Sequence, residues 1–161
     1  MLVHAFNDRE GLRIAMEMER RGEDFYRRSA RISKNPETVK VLLQLAADEA
    51  LHRAEFERLL SGVEVSEVEY DHETNAYLSA IAADVVFSDG LMALKQQGFD
   101  SPQGALLEAI QSEKDSVLFY SELAEQAADD NAKRIFCEII RQEKGHMRLL
   151  QMRLANIESE G

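Results

Sequence analysis

The chain has 161 residues, 45% of them hydrophobic and 30% charged, with a formal net charge of −11. That length and apolar content suit one globular domain with a substantial core and argue against disorder. The acidic balance argues against nucleic acid or an anionic membrane as partner, and the single cysteine, Cys137, excludes an intramolecular disulfide or a Cys-x-x-Cys site.

The opening segment, MLVHAFND, lacks a basic region followed by a long apolar run, so no signal peptide is expected and the cytoplasm is the expected compartment. His4 reads as a solvated terminal histidine. Asn7 is a good N-cap for a first helix over 8–33, whose apolar stripe is Leu12, Ala15, Glu19, Gly22, Tyr26, Ala30. Asn35 and Pro36, a cap followed by proline at the first helical position, start a second helix over 36–60. Its stripe is Val39, Leu42, Leu45, Glu49, His52, Phe56, Leu59.

Residues 61–101 are too long for a tight turn. They are expected to run the length of the bundle and so make the second and third helices parallel. Within them, 62–73 (GVEVSEVEYDHE) reads as an acidic surface loop, and 74–97 as helical, broken near Ser88-Asp89-Gly90. Ser101 and Pro102 start a third helix over 102–128, with Leu106, Ala109, Glu113, Ser116, Tyr120 and Ala124 on its stripe. Asp129 caps a fourth over 130–156, with Ile135, Ile139, Glu143, His146, Leu150 and Leu154. The expected fold is all-α: one domain over 1–161, a four-helix bundle of two helical hairpins, about 8–60 and 102–156, joined by the long crossover.

The two hairpins are copies. An offset of 94 residues carries Glu19 onto Glu113, Phe25-Tyr26 onto Phe119-Tyr120, Glu49 onto Glu143 and His52 onto His146. Each copy holds a glutamate and then Glu-x-x-His thirty residues later, all on stripe positions where leucine is expected. In Glu-x-x-His both side chains share one helix face, one turn apart. Four carboxylates in a core cost several kcal/mol per uncompensated charge, and a metal pair removes that cost. The set matches the ligands of a dinuclear centre and suits Fe, Mn or Zn. By symmetry, Glu49 and Glu143 bridge the two metals, Glu19 and His52 complete one, and Glu113 and His146 the other. The competing reading is a decayed duplication whose buried polar residues bond only one another.

Other residues carry weaker signals. Tyr26 and Tyr120 lie two turns beyond Glu19 and Glu113, where their hydroxyls could bond ligand carboxylates across the bundle or simply pack. Asp48 could hold a ligand histidine, though a solvated helix face is the simpler reading. Gly22 and Ser116 could leave room for O2 or peroxide, or reflect close helix packing. Cys137 matches Leu43 in the repeat and reads as a core residue. Glu69-Tyr70-Asp71-His72 is a third Glu-x-x-His, but it has no upstream glutamate and no stripe, so Glu69 and His72 read as surface residues.

EMERRGEDFY with AADEALH, and QSEKDSVLFY with RQEKGH, resemble the rubrerythrin family of the ferritin-like superfamily. The resemblance covers both hairpins. It implies a ferritin-like bundle with two non-haem iron ions per chain, held by Glu19, Glu49, His52, Glu113, Glu143 and His146. It also implies an oxidoreductase that reduces hydrogen peroxide or O2 in protection against oxidative stress, commonly as a homodimer. Full-length rubrerythrins add a four-cysteine iron site. With one cysteine this chain needs a separate electron donor, such as a rubredoxin-like protein. The family's extra glutamate, three residues after the ligand of the third helix and tied to an iron movement, is here Ser116, a departure from the family's pattern. The alternative function is iron binding, ferroxidase action or storage without peroxidase turnover.

Overall fold

The computed structural model describes residues 3–62, 65–85 and 102–160. Five helices lie among them: α1 (Asp8–Ile32), α2 (Pro36–Ser61), α3 (His72–Val85), α4 (Pro102–Gln126) and α5 (Asp130–Glu160). No strand occurs among the described residues, and no helix is long and apolar enough to cross a membrane.

The starts of these helices are set by side chains that satisfy free backbone N–H groups. Asn7 accepts from the Glu10 N–H at 2.7 Å, Asn35 from Glu37 and Thr38 at 3.0 and 3.1 Å, and Asp129 from Ala132 at 2.9 Å. The fourth expected cap, Ser101, lies outside the described residues. Asp71 accepts from Thr74 at 2.8 Å and starts α3 two residues before the expected 74. The expected break near Ser88-Asp89-Gly90 also lies outside the described residues. The last helix runs four residues past the expected 156, because Ile157 extends its stripe onto the core.

Short connections at 33–35 and 127–129 fold α1 against α2 and α4 against α5. Between the hairpins, Tyr26 pairs with Glu113 while Glu19 pairs with Tyr120, so α1 and α4 run antiparallel. Asp48 pairs with His146 while His52 pairs with Gln142, so α2 and α5 also run antiparallel. α2 and α4 are therefore parallel, as a long crossover requires.

The core has two apolar halves. One gathers Leu12, Met18, Phe56, Phe119, Leu123, Phe136 and Ile139, with Phe6 and Leu78 from the leading segment and α3. The other gathers Phe25, Leu42, Leu45, Ala46, Leu106, Ala109, Leu150 and Leu154. Each fully buried Phe or Leu contributes about 1.5–3 kcal/mol. On all four bundle helices the polar stripe residues fall between these halves.

Several peripheral expectations change. Cys137 is exposed, not core. Its partner in the repeat, Leu43, is 45% exposed, so the match holds but both copies point outward. Within the acidic loop Glu69 and His72 are exposed as expected, but Tyr70 turns inward. Its N–H donates to the Phe6 carbonyl at 2.8 Å and its hydroxyl to Asp8 at 2.5 Å. His4 is anchored rather than loose: its ring meets Glu10 at 2.9 Å and packs edge-on against Phe6.

Candidate metal centre

Glu19, Glu49, His52, Glu113, Glu143 and His146 are each only 1–5% exposed. The structure brings all six together as two overlapping groups. Glu19, Glu49, His52 and Glu143 offer one ligand atom each within 4.8 Å of one another, and so do Glu49, Glu113, Glu143 and His146. Glu49 and Glu143 belong to both groups, the arrangement expected of bridging residues. The two imidazoles lie nearly parallel with centroids 5.7 Å apart.

Each terminal carboxylate is held by one oxygen. Tyr26 donates to Glu113 Oε1 at 2.5 Å, and Tyr120 donates to Glu19 Oε1 at 2.8 Å. Burial, reinforced by the surrounding carboxylates, pushes both phenols well above their ordinary range, so they stay neutral donors. The remaining oxygens, Glu19 Oε2 and Glu113 Oε2, are buried without a hydrogen-bond partner, as are Glu49 Oε1 and both oxygens of Glu143. His52 Nδ1 lies 2.6 Å from Glu143 Oε1 but out of line for a hydrogen bond.

Buried polar atoms are nearly always paired, and leaving one unpaired costs about 1–3 kcal/mol. Here the unpaired oxygens of Glu19, Glu49, Glu113 and Glu143 lie together with His52 Nδ1 inside one cage, and each is a metal-ligand type. A pair of divalent cations fits that donor set: two ions carry four positive charges, matched by four carboxylates. Each imidazole turns Nδ1 toward the carboxylates and fixes its other nitrogen outward. His146 Nε2 meets Asp48 Oδ2 at 3.0 Å, and His52 Nε2 meets Gln142 Oε1 at 2.8 Å. Asp48 is thus a histidine partner and not merely part of a solvated face. Gln142 was missed by the sequence reading, although it stands 94 residues after Asp48.

Without metal the cage must hold protons instead. Burial, then repulsion from neighbouring carboxylates, pushes Glu49 and Glu143 well above the usual carboxylate range. Burial would also raise Glu113, but the adjoining Glu143 carboxyl, the His146 imidazole and the Tyr26 hydroxyl outweigh it and hold Glu113 at about 2. Burial works against charging His52 and His146, yet Glu19 and Glu113 respectively outweigh it, so both are raised.

Gly22 lies against Glu49, which agrees with the close-packing reading. A Cβ there would stand 3.2 Å from Glu49 Oε2, inside ordinary contact. Ser116, its counterpart, is half-buried. Gly22→Ala is expected to keep or raise the melting temperature of the metal-free protein, since alanine favours mid-helix by about 0.8–1.0 kcal/mol. It should also displace the Glu49 carboxylate and weaken divalent-metal binding, which a thermal melt and a calorimetric titration on one sample would check. Tyr120→Phe strands Glu19 Oε1 and is expected to destabilise the metal-free protein by about 1–3 kcal/mol, read as a lowered denaturation midpoint.

A family model described as Rubrerythrin matches residues 10–98 and 104–160. A crystal structure assigned as a ferritin-like diiron-carboxylate protein from Thermotoga maritima is 26% identical, with a TM-score of 0.70 over 94% of this chain and 97% of that one. No curated protein matches the chain. The fold is ferritin-like, and with the family model covering nearly the whole sequence, the chain belongs to the rubrerythrin family.

Proposed function

We propose that the cage holds two iron ions and that the protein is an oxidoreductase reducing hydrogen peroxide with electrons from a separate donor. The observation that carries this reading is the cluster of buried, unpaired carboxylate oxygens facing two Nδ1 atoms. Glu19 and His52 would complete one position, Glu113 and His146 the other, with Glu49 and Glu143 shared. When bound, two ferrous ions supply the two electrons that, with two protons, convert H2O2 to two waters.

The cage residues are buried between the two apolar halves of the core, one with Phe56, Tyr120 and Phe136 and the other with Phe25, Leu45, Ala46 and Leu106. A site this enclosed suits an oxidant the size of H2O2 or O2. Tyr26 and Tyr120 hold the terminal carboxylates by one oxygen and leave the other free to ligate. One cysteine cannot build a four-cysteine iron site, so the reading assigns electron supply to a partner such as a rubredoxin-like protein. A homodimer in the cytoplasm, acting against oxidative stress, completes the proposal.

Anaerobic loading with Fe2+ followed by mixing with H2O2 or O2 tests it by stopped-flow absorbance. Much faster oxidation by H2O2, with turnover when a reductant is supplied, is the expected result. Faster oxidation by O2 with continued iron uptake would replace it with a ferroxidase or storage role.

A further inference from the structure

The two repeats carry one acid and one amide on the outer flank of the cage, in opposite order. In α2 the order is Gln44 then Asp48; at the matching positions in α5 it is Glu138 then Gln142. Each pair is bonded within its own helix turn. Gln44 Nε2 donates to Asp48 Oδ1 at 3.0 Å, and Gln142 Nε2 donates to Glu138 Oε1 at 3.1 Å. In both copies it is the second member that touches the imidazole of the other hairpin. His146 therefore meets a carboxylate, while His52 meets an amide oxygen. The bond to Glu138 fixes which end of the Gln142 amide faces His52. The Glu138 charge stands one turn further out, held by Arg141 at 2.6 and 3.1 Å.

The ligand types at the two positions match pairwise. Each position has one terminal glutamate bonded by a tyrosine, one histidine through Nδ1, and the two shared carboxylates. The acceptor behind the ring differs. An imidazole that donates to a carboxylate is a more basic ligand than one that donates to a neutral amide, and such partners change metal affinity by about 10–100-fold. Asp48 is partly exposed, with its side chain at 28%, so its bare charge is screened and the bond to the ring carries most of the effect.

We infer that Asp48 is a positioning residue that makes the two metal positions unequal, so that the position of Glu113 and His146 takes the first divalent ion. The position of Glu19 and His52 fills second. This rests on the dinuclear reading above.

The test is calorimetric titration of the metal-free full chain with Co2+, with the visible bands of bound Co2+ followed in parallel. Repulsion between neighbouring ions separates the two steps in any dinuclear site, so the comparison of variants decides. Asp48→Asn is expected to weaken the first step by about 10-fold or more and leave the second within a few-fold. Gln142→Glu, which puts a carboxylate behind His52, is expected to strengthen the second step. Both near-isosteric changes thus narrow the gap from opposite sides, a pattern that general loss of stability cannot produce. Wild-type spacing between the steps in both variants overturns the inference while leaving the dinuclear site standing. Failure of the wild type to bind any Co2+ overturns the site and the inference together.

Discussion

Alanine at Glu49 or at Glu143 is expected to abolish binding of both metal ions, whereas alanine at Glu19 or Glu113 costs one. The reason is the overlap of the two ligand groups, since Glu49 and Glu143 are the members common to both. Removing either takes a ligand from each position and leaves three carboxylates against four positive charges in a buried cage. Charge imbalance in such a setting costs several kcal/mol, more than a four-ligand site can lose and still hold its ion. Removing Glu19 leaves the other group of four intact. Metal content after anaerobic loading and desalting checks this: about two ions per chain for the wild type, about one for Glu19→Ala, none for Glu49→Ala or Glu143→Ala. Peroxide consumption should fall to background in the last two. A Glu143→Ala protein that kept two tightly held ions would overturn the bridging assignment.

What the sequence made legible follows from which facts are local. Helical period and the 94-residue offset are properties of the chain read in order, and they put all six cage residues on inward stripes. Tyr26 and Tyr120 were open between packing and bonding because the choice depends on α1 facing α4 in antiparallel register, which periodicity along one helix does not state. The same limit hid Gln142. Like Asp48, it immediately precedes a cage glutamate and lies off the stripe, so only the pairing of α2 with α5 brings either to a histidine ring. The offset did contain the clue, because 48 and 142 are matched positions.

Cys137 shows the opposite error. Its match to Leu43 was sound, but neither residue lies on its helix's stripe, and both face out. Tyr70 was hidden by its neighbours. A single aromatic in an acidic run looks solvated until Phe6 and Asp8, more than sixty positions earlier, are known to meet it.

Metal-free protein is expected to lose stability as pH rises from about 5 to 8, while metal-loaded protein does not, so the gap between them widens with pH. The sign follows from the direction of each shift. Glu49, Glu143, His52 and His146 all bind protons more tightly folded than unfolded. A raised group stabilises fully below its unfolded value, and that contribution disappears as pH climbs through its folded value. Glu113, held at about 2, acts in the other direction: its contribution is present above the ordinary carboxylate value of 4.5 and is lost as pH falls toward 2. The metal-free optimum therefore lies in mild acid, between these two losses. Metal ions take the place of the cage protons, so loading releases protons and tightens as pH rises. Glu143→Gln isolates the effect from the rest of the acidic surface. It removes one buried charge while keeping the shape, and replacing buried charge is often stabilising by about 1–4 kcal/mol. At pH 8, without metal, the variant should melt about 2–16 °C above the wild type, given about 2–4 °C per kcal/mol for a chain of this size. The difference should shrink toward pH 5, because the raised wild-type carboxyl takes up its proton as pH falls. Added Mn2+ or anaerobic Fe2+ should reverse the order at pH 8, stabilising the wild type and leaving the variant nearly unmoved. Parallel melting curves for the two metal-free proteins at every pH would show that folding does not raise the proton affinity of Glu143, and would remove the electrostatic basis for the centre.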